Sequence, residues 1–143
     1  MTNRVITSLA FIALGLLTAI LPHTLFHVCT GTIEAVSGMQ IPMKCFWTAR
    51  VATGLGVLFC LSGILLYFSK TVLVRLGISL MIFMNGILLA AVPTILIGVC
   101  HAETMPCRMG TLPGLLVLAV LIIIFSLANL LYLSRQSKNG IQP

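Results

Sequence analysis

Four of the five cysteines lie in the two polar segments that separate long apolar stretches of the chain, at Cys29, Cys45, Cys100 and Cys107. An even number of cysteines outside the cytoplasm predicts disulfide bonds. The first hypothesis joins the cysteines within each segment, Cys29 to Cys45 and Cys100 to Cys107. The second joins them across the segments, Cys29 to Cys107 and Cys45 to Cys100. A disulfide that closes a loop of about 15 residues contributes roughly 3 kcal/mol of stability.

The same segments allow two other kinds of chemistry. Two outer cysteine pairs are similar to those of quinone-coupled membrane oxidases, but the close Cys-x-x-Cys spacing that tunes a thiol potential is absent here. A soft-metal site is the other alternative, because thiolate and thioether ligands suit Cu(I) and imidazole completes such sites. Its candidate ligands are Met43, Cys45, His101, Met105 and Cys107. No His-x-His or Cys-x-x-Cys pair fixes two ligands on one local turn, so stapling disulfides are the leading interpretation.

Composition predicts that these segments belong to a membrane protein. Of the 143 residues, 59% are hydrophobic and only 7% are charged, against roughly a quarter charged in globular proteins. Four apolar stretches, about 5–22, 51–68, 76–99 and 112–133, have a length suited to crossing a bilayer. Backbone amides in lipid must be bonded internally, so we predict an all-α membrane protein with four transmembrane helices. The net charge of +6 comes from scattered residues without a basic stripe, so no nucleic-acid partner is expected.

The distribution of lysine and arginine predicts the orientation in the cell membrane. One side carries Arg4, Lys70, Arg75, Arg135 and Lys138, and the other carries Lys44, Arg50 and Arg108 together with both acids, Glu34 and Glu103. Cytoplasmic loops are richer in basic residues. We therefore expect a multi-pass protein of the cytoplasmic membrane, with both termini in the cytoplasm and the cysteine loops outside it.

The two halves of the chain match at a displacement of 71 positions, which takes Arg4 to Arg75, Gly15 to Gly86 and Cys29 to Cys100. Matched Arg, Gly and Cys in one order indicate a duplication rather than chance similarity of leucine-rich helices. The predicted single domain, 1–143, comprises a first repeat at about 4–70, a second at about 75–135 and a polar tail at 136–143. Since each copy crosses the membrane twice, we predict two tandem hairpins related by a pseudo-twofold axis along the membrane normal.

Small residues predict where the helices pack. Ala52, Gly56 and Cys60 recur every four residues with Gly63 near the same face, and small stripes let helix backbones approach closely in lipid. Cys60 is accordingly interpreted as a packing residue. The full set of predicted packing residues is Gly15, Ala52, Gly56, Cys60, Gly63, Gly86 and Asn85. Asn85 and Asn129 are the strongest polar groups within the spans, and we expect such residues to join helices.

The loop motifs resemble those of an uncharacterised bacterial and archaeal family of short four-helix membrane proteins, a domain of unknown function. The motifs are Met-Lys-Cys-Phe-Trp-Thr at 43–48 and Cys-His…Met-Pro-Cys-Arg at 100–108, and the resemblance covers nearly the whole chain. Phe46 stands where the family pattern has a histidine, which weakens a metal role there. The resemblance implies an association with permease and ATPase components of ABC-type transport systems.

The leading functional hypothesis is a non-enzymatic accessory subunit in the lipid bilayer, stapled outside by disulfides and working beside a partner such as an ABC-type permease. No ionisable residue lies between the predicted interfaces, which disfavours an autonomous pump or transporter. No cofactor is expected under this hypothesis. A membrane thiol–disulfide oxidoreductase, which would use a quinone, and a copper-type binding protein are the alternatives.

Overall fold

Four long helices make up most of the chain, and the computed structural model describes residues 2–24, 32–34, 40–42, 44–98 and 107–138. The helices are α1 (Thr2–Thr24), α2 (Lys44–Phe68), α3 (Val72–Ala91) and α4 (Leu112–Lys138). A π-helical segment, Val92–Leu96, continues α3, and a second, Cys107–Thr111, leads into α4. Two short antiparallel strands, β1 (Thr32–Glu34) and β2 (Gln40–Pro42), lie between α1 and α2.

The helices have the length and apolar character of membrane spans. Four stretches qualify, Asn3–Thr24, Cys45–Phe68, Val72–Leu96 and Arg108–Lys138, which confirms the prediction of a multi-pass protein with four transmembrane helices. The helix α2 has 25 residues, and at about 1.5 Å per residue it exceeds the roughly 30 Å hydrocarbon core of a bilayer. It begins at Lys44, well before the apolar stretch predicted at 51–68. The β1–β2 ladder is an addition to the all-α prediction.

The four helices form a bundle in which each helix neighbours the next one along the chain, and α4 neighbours α1. The helix α1 packs mainly along α2, and α3 packs mainly along α4, while α2 borders α3 and α4 borders α1. The core is apolar and consists of Phe11, Ala52, Leu55, Phe59, Leu66, Ile82, Leu89, Val92, Leu115, Ala119 and Ile122. Large apolar side chains such as Leu9, Phe68 and Leu73 also cover the outside of the bundle. An outer surface of this kind suits contact with lipid.

Proline shapes the end of α3. Pro93 has no backbone N–H to donate and follows directly on the last α-helical turn. The backbone N–H groups of Ile97 and Gly98 both donate to the carbonyl oxygen of Val92, at 3.0 and 3.3 Å. Gly98 has φ 75°, a left-handed conformation that glycine adopts without strain. The helix therefore widens into a π turn and stops at Gly98.

Candidate functional site at the two ends of the bundle

Polar side chains gather at the two ends of the bundle. We call one the cysteine end, where His23, Cys45 and Gly98 lie, and the other the arginine end, where Arg4 and Arg75 lie. The pairing of α1 with α2 and of α3 with α4 is antiparallel, because Gly63 of α2 faces Ser8 and Asn129 of α4 faces Ser79. Both loops that carry the predicted disulfides consequently leave the bundle at the cysteine end.

At the cysteine end, Cys45 lies in the first turn of α2 and is only 2% exposed. One turn later, the Thr48 hydroxyl donates a hydrogen bond of 3.0 Å to the carbonyl oxygen of Gly98. This bond ties the start of α2 to the end of the segment that continues α3. The two hairpins are thus joined at the point where their loops begin.

Two further contacts shape the cysteine end. The Thr53 hydroxyl donates its one hydrogen to the carbonyl oxygen of Ala49 at 2.9 Å. The same hydroxyl oxygen lies 2.9 Å from Nε2 of His23, so in this second contact the imidazole is the donor. This tautomer leaves Nδ1 of His23 as the acceptor or ligand atom. The guanidinium of Arg50 lies 5.0 Å from the ring centre of Phe46, a cation–π distance.

Most members of the predicted cysteine and metal sets lie outside the described residues. These are Cys29, Met43, Cys100, His101 and Met105, while Cys107 begins the segment before α4 and its side chain is not described. Within the described ranges, no three His, Cys, Asp or Glu side chains come together as a metal site. The disulfide pairing and the copper-type site stay predictions.

The predicted packing residues of the first hairpin lie in the contact between α1 and α2. A Cβ atom added to Gly15 would lie 2.8 Å from the backbone nitrogen of Cys60 and from the carbonyl oxygen of Gly56. The Cys60 thiol donates across the helix pair to the carbonyl oxygen of Ile12 at 3.5 Å. Gly63 lies against Ile12, and a Cβ there would be 2.8 Å from its Cγ1 atom. The two helices therefore touch backbone to backbone.

The second hairpin uses side chains for the same contact. A Cβ added to Gly86 would meet Cγ1 of Ile123 at 3.0 Å and Cγ2 of Ile122 at 3.3 Å. Both neighbours are side-chain atoms rather than backbone. Ala52, the remaining predicted packing residue of small size, is fully buried and belongs to the common core.

A buried polar network joins α3 to α4. The Ser126 hydroxyl donates to the carbonyl oxygen of Ser79 at 2.6 Å, and Nδ2 of Asn129 donates to the Ser79 hydroxyl oxygen at 2.8 Å. Asn129 is 4% exposed, whereas Asn85 is half-buried and lies outside this network. Sequence reasoning named both asparagines but missed the two serines, because a serine in an apolar helix gives no periodic signal of its own.

At the arginine end, the guanidinium of Arg4 lies 5.8 Å from the ring centre of Tyr67. Arg75 lies within electrostatic reach of both Arg4 and Tyr132. The sequence predicted these arginines as orientation signals and as matched positions of the internal repeat, but not as neighbours in one site. Arg4 matches Arg75 at the displacement of 71, and Tyr67 matches Tyr132 at a displacement of 65 positions.

Comparison with known proteins identifies a family. The model of a domain of unknown function, DUF4418, matches residues 11–132. The chain belongs to this family. The match includes both loop motifs of the DUF4418 chain, 43–48 and 100–108, and confirms the prediction of an uncharacterised family. No curated protein and no solved structure matches the chain.

Proposed function

We propose that this DUF4418 chain is an accessory subunit of a larger transporter or envelope complex in the cell membrane. Its bundle serves as a rigid body that presents a disulfide-stapled cap outside the cytoplasm. The observation that carries the proposal is the packing of the bundle interior. Large side chains fill the interior along both hairpins, and Phe11, Phe59, Ile82 and Ile122 are each at most 1% exposed.

A filled interior suits a protein whose working surface is in its loops. Close-packed apolar side chains resist rearrangement, so the bundle holds its ends in a fixed relation. Binding residues are commonly placed on loops that a rigid scaffold positions. The bond from Thr48 to Gly98 supports this role, because it fixes the hairpins to each other beside both loops. The resemblance noted above favours an ABC-type permease as the partner.

The contacts within the two hairpins support the proposed duplication. Gly15 lies against Gly56 and Cys60 of α2, and Gly86 lies against Ile122 and Ile123 of α4. The second helices of the repeats align at a displacement of 65 positions, which takes Tyr67 to Tyr132. Residues 122–123 then correspond to 57–58, which lie between Gly56 and Cys60, so the two glycines contact similar levels of their partner helices. A twofold axis that takes α1 to α3 and α2 to α4 would also exchange the α1–α4 contact with the α2–α3 contact, and both contacts are present.

The β1–β2 ladder supports the pairing of Cys29 with Cys45 within the first loop. Its register places Thr32 opposite Pro42, Ile33 opposite Ile41 and Glu34 opposite Gln40. In the sequence, Cys29 comes three residues before Thr32, and Cys45 comes three residues after Pro42. The ladder therefore brings the strand that follows Cys29 next to the strand that leads to Cys45 in the first turn of α2.

The accessory role is tested by photo-crosslinking in the native membrane. A photoreactive phenylalanine derivative replaces Trp47, which is 53% exposed at the cysteine end of α2. Phe68, 72% exposed at the opposite end of the same helix, is the matched control position. We expect a single integral membrane protein to be crosslinked from position 47 and not from position 68. Mass spectrometry of the purified adduct identifies the partner.

Three results would contradict the accessory role. The first is equal, diffuse crosslinking from both positions. The second is a mixed disulfide between Cys29 or Cys107 and a second protein, trapped when Cys45→Ser or Cys100→Ser removes the resolving thiol, which indicates the oxidoreductase. The third is stoichiometric copper in the purified protein that is lost on Cys45→Ser and Cys107→Ser substitution, which indicates the metal-binding protein.

A further inference from the structure

Two positive charges lie within electrostatic reach of each other at the arginine end of the bundle. Arg4 lies in the first turn of α1 and Arg75 in the first turn of α3, and both side chains are half-buried. The two guanidinium groups are close enough to repel each other electrostatically. Like charges near a low-dielectric interior are unfavourable without a counter-charge.

The two arginines also have donors without acceptors. Nε of Arg4 and both Nε and Nη2 of Arg75 are buried and have no hydrogen-bond partner among the described residues. Buried polar groups in folded proteins are normally hydrogen-bonded, and each exception calls for an explanation. These three nitrogen donors point to an acceptor that comes from outside the described chain.

Neither acidic residue of the chain belongs to the helix turns that form this end. Glu34 is in β1, and Glu103 falls in the sequence between α3 and α4, outside the described residues. The arginine end adds further positive charge, because Lys70 and Arg135 are exposed there. No side-chain oxygen caps the N-terminus of α3 at Thr71, which leaves the positive end of its dipole available.

We propose that Arg4 and Arg75 together bind a phosphate-type anion at this end of the bundle. The anion is the headgroup phosphate of an anionic phospholipid or free inorganic phosphate. The planar guanidinium presents paired N–H donors that match phosphate oxygens, and a bound phosphate removes the repulsion between the two arginines. Tyr67 and Tyr132 lie beside the pair, where aromatic side chains are common at a membrane interface.

The test uses the full chain purified in a neutral detergent. Its thermal unfolding midpoint is recorded during separate titrations with phosphatidylglycerol, phosphatidylcholine and inorganic phosphate at constant ionic strength. We expect half-maximal stabilisation by phosphatidylglycerol or by phosphate at a concentration about tenfold lower than any effect of phosphatidylcholine, since charge-assisted hydrogen bonds are made only with an accessible anion. Stabilisation by the lipid alone assigns the site to a headgroup, and stabilisation by phosphate alone assigns it to the free ion.

Variants separate a built site from general surface charge. The double substitution Arg4→Gln and Arg75→Gln is expected to abolish the tenfold preference, whereas Arg135→Gln, at the same end but exposed, is expected to retain it. Without added anion, Arg75→Gln is expected to raise the unfolding midpoint, because it removes the repulsion from Arg4.

Two results overturn the proposal. One is equal stabilisation of the wild type by phosphatidylcholine and by both anionic probes, which decides the question even if the double variant does not fold. The other is a loss of the preference in Arg135→Gln as large as in the double variant.

Discussion

The carbonyl oxygen of Gly15 lies 2.7 Å from the point where a Cβ atom on Gly56 would sit. The relation is reciprocal, since a Cβ on Gly15 would lie 2.8 Å from the carbonyl oxygen of Gly56. The neighbouring atoms belong to helix backbones and cannot turn away as a side chain can. The separation of α1 and α2 therefore depends on the missing side chains of these two glycines.

We predict that Gly56→Ala destabilises the protein by about 1–3 kcal/mol, the usual cost of overpacking a contact that cannot relax. Gly54→Ala on the same helix is the matched control, because a Cβ there meets nothing within 4 Å. Its free energy of unfolding should stay within about 0.5 kcal/mol of the wild type. The measurement is unfolding in mixed micelles by titration with SDS. Equal losses in the two variants would show that the close approach is not needed.

The two hairpins should differ in their tolerance of a methyl group at equivalent positions. Gly15→Ala forces backbone apart, whereas Gly86→Ala meets side-chain atoms of Ile123 and Ile122 at 3.0 and 3.3 Å, which need to shift by only a few tenths of an ångström. We expect Gly15→Ala to cost about 1–3 kcal/mol and Gly86→Ala to cost less than about 1 kcal/mol. The same micelle titration ranks them. A larger loss for Gly86→Ala contradicts the prediction.

The hydrogen bond of 2.8 Å from Asn129 to Ser79 should contribute measurably to the stability of the second hairpin. A double-mutant cycle with Ser79→Ala and Asn129→Leu is expected to give a coupling energy of about 0.6 kcal/mol, and at most about 1.7, as for polar contacts between helices in lipid. Asn85→Leu serves as the control in place of Asn129→Leu. The coupling energy between Asn85→Leu and Ser79→Ala should be zero within error. A coupling energy as large as that of the Asn129→Leu cycle would contradict the prediction that Ser79 is bonded to Asn129.

Disulfide mapping should find Cys29 joined to Cys45 and Cys100 joined to Cys107. The expectation follows from the internal match, which gives both loops equivalent cysteine pairs, and from the β1–β2 ladder, which pairs the two strands of the first loop. Protein isolated from membranes with free thiols blocked is digested and analysed by mass spectrometry without reduction. Peptides linking Cys29 to Cys107 would favour pairing across the loops instead.

Cys45→Ser offers a control for the mapping. It should leave Cys29 open to a membrane-impermeant thiol reagent on whole cells while the Cys100–Cys107 pair stays intact. Labelling of Cys29 only after the cells are broken would place this loop in the cytoplasm and reverse the predicted orientation.

Much of the architecture was predictable because lipid imposes one strong rule. Apolar stretches of this length must form helices, so four spans could be located from hydropathy alone, and all four are present. The exact ends were not predictable, because helix α2 continues through the polar residues from Lys44 onward. The β1–β2 ladder was also missed, since strands of three residues in a polar loop give no periodic pattern.

The polar contacts were predicted less well than the spans. The sequence predicted that both Asn85 and Asn129 join helices, but of these two only Asn129 belongs to the buried network. Two asparagines in neighbouring apolar helices look alike in sequence. Which one faces a partner depends on the rotation of each helix about its axis, and packing of the whole bundle sets that rotation.

The sequence by itself determined the membrane character, the number of helices and the internal match between the halves, because hydropathy and residue identity are properties of the chain alone. Tertiary structure alone decided that Gly15 meets Gly56 and that the charge of Arg4 acts on Arg75. Those relations join residues on different helices. They depend on helix rotation and register, which are set by the packing of all four helices together rather than by any local pattern.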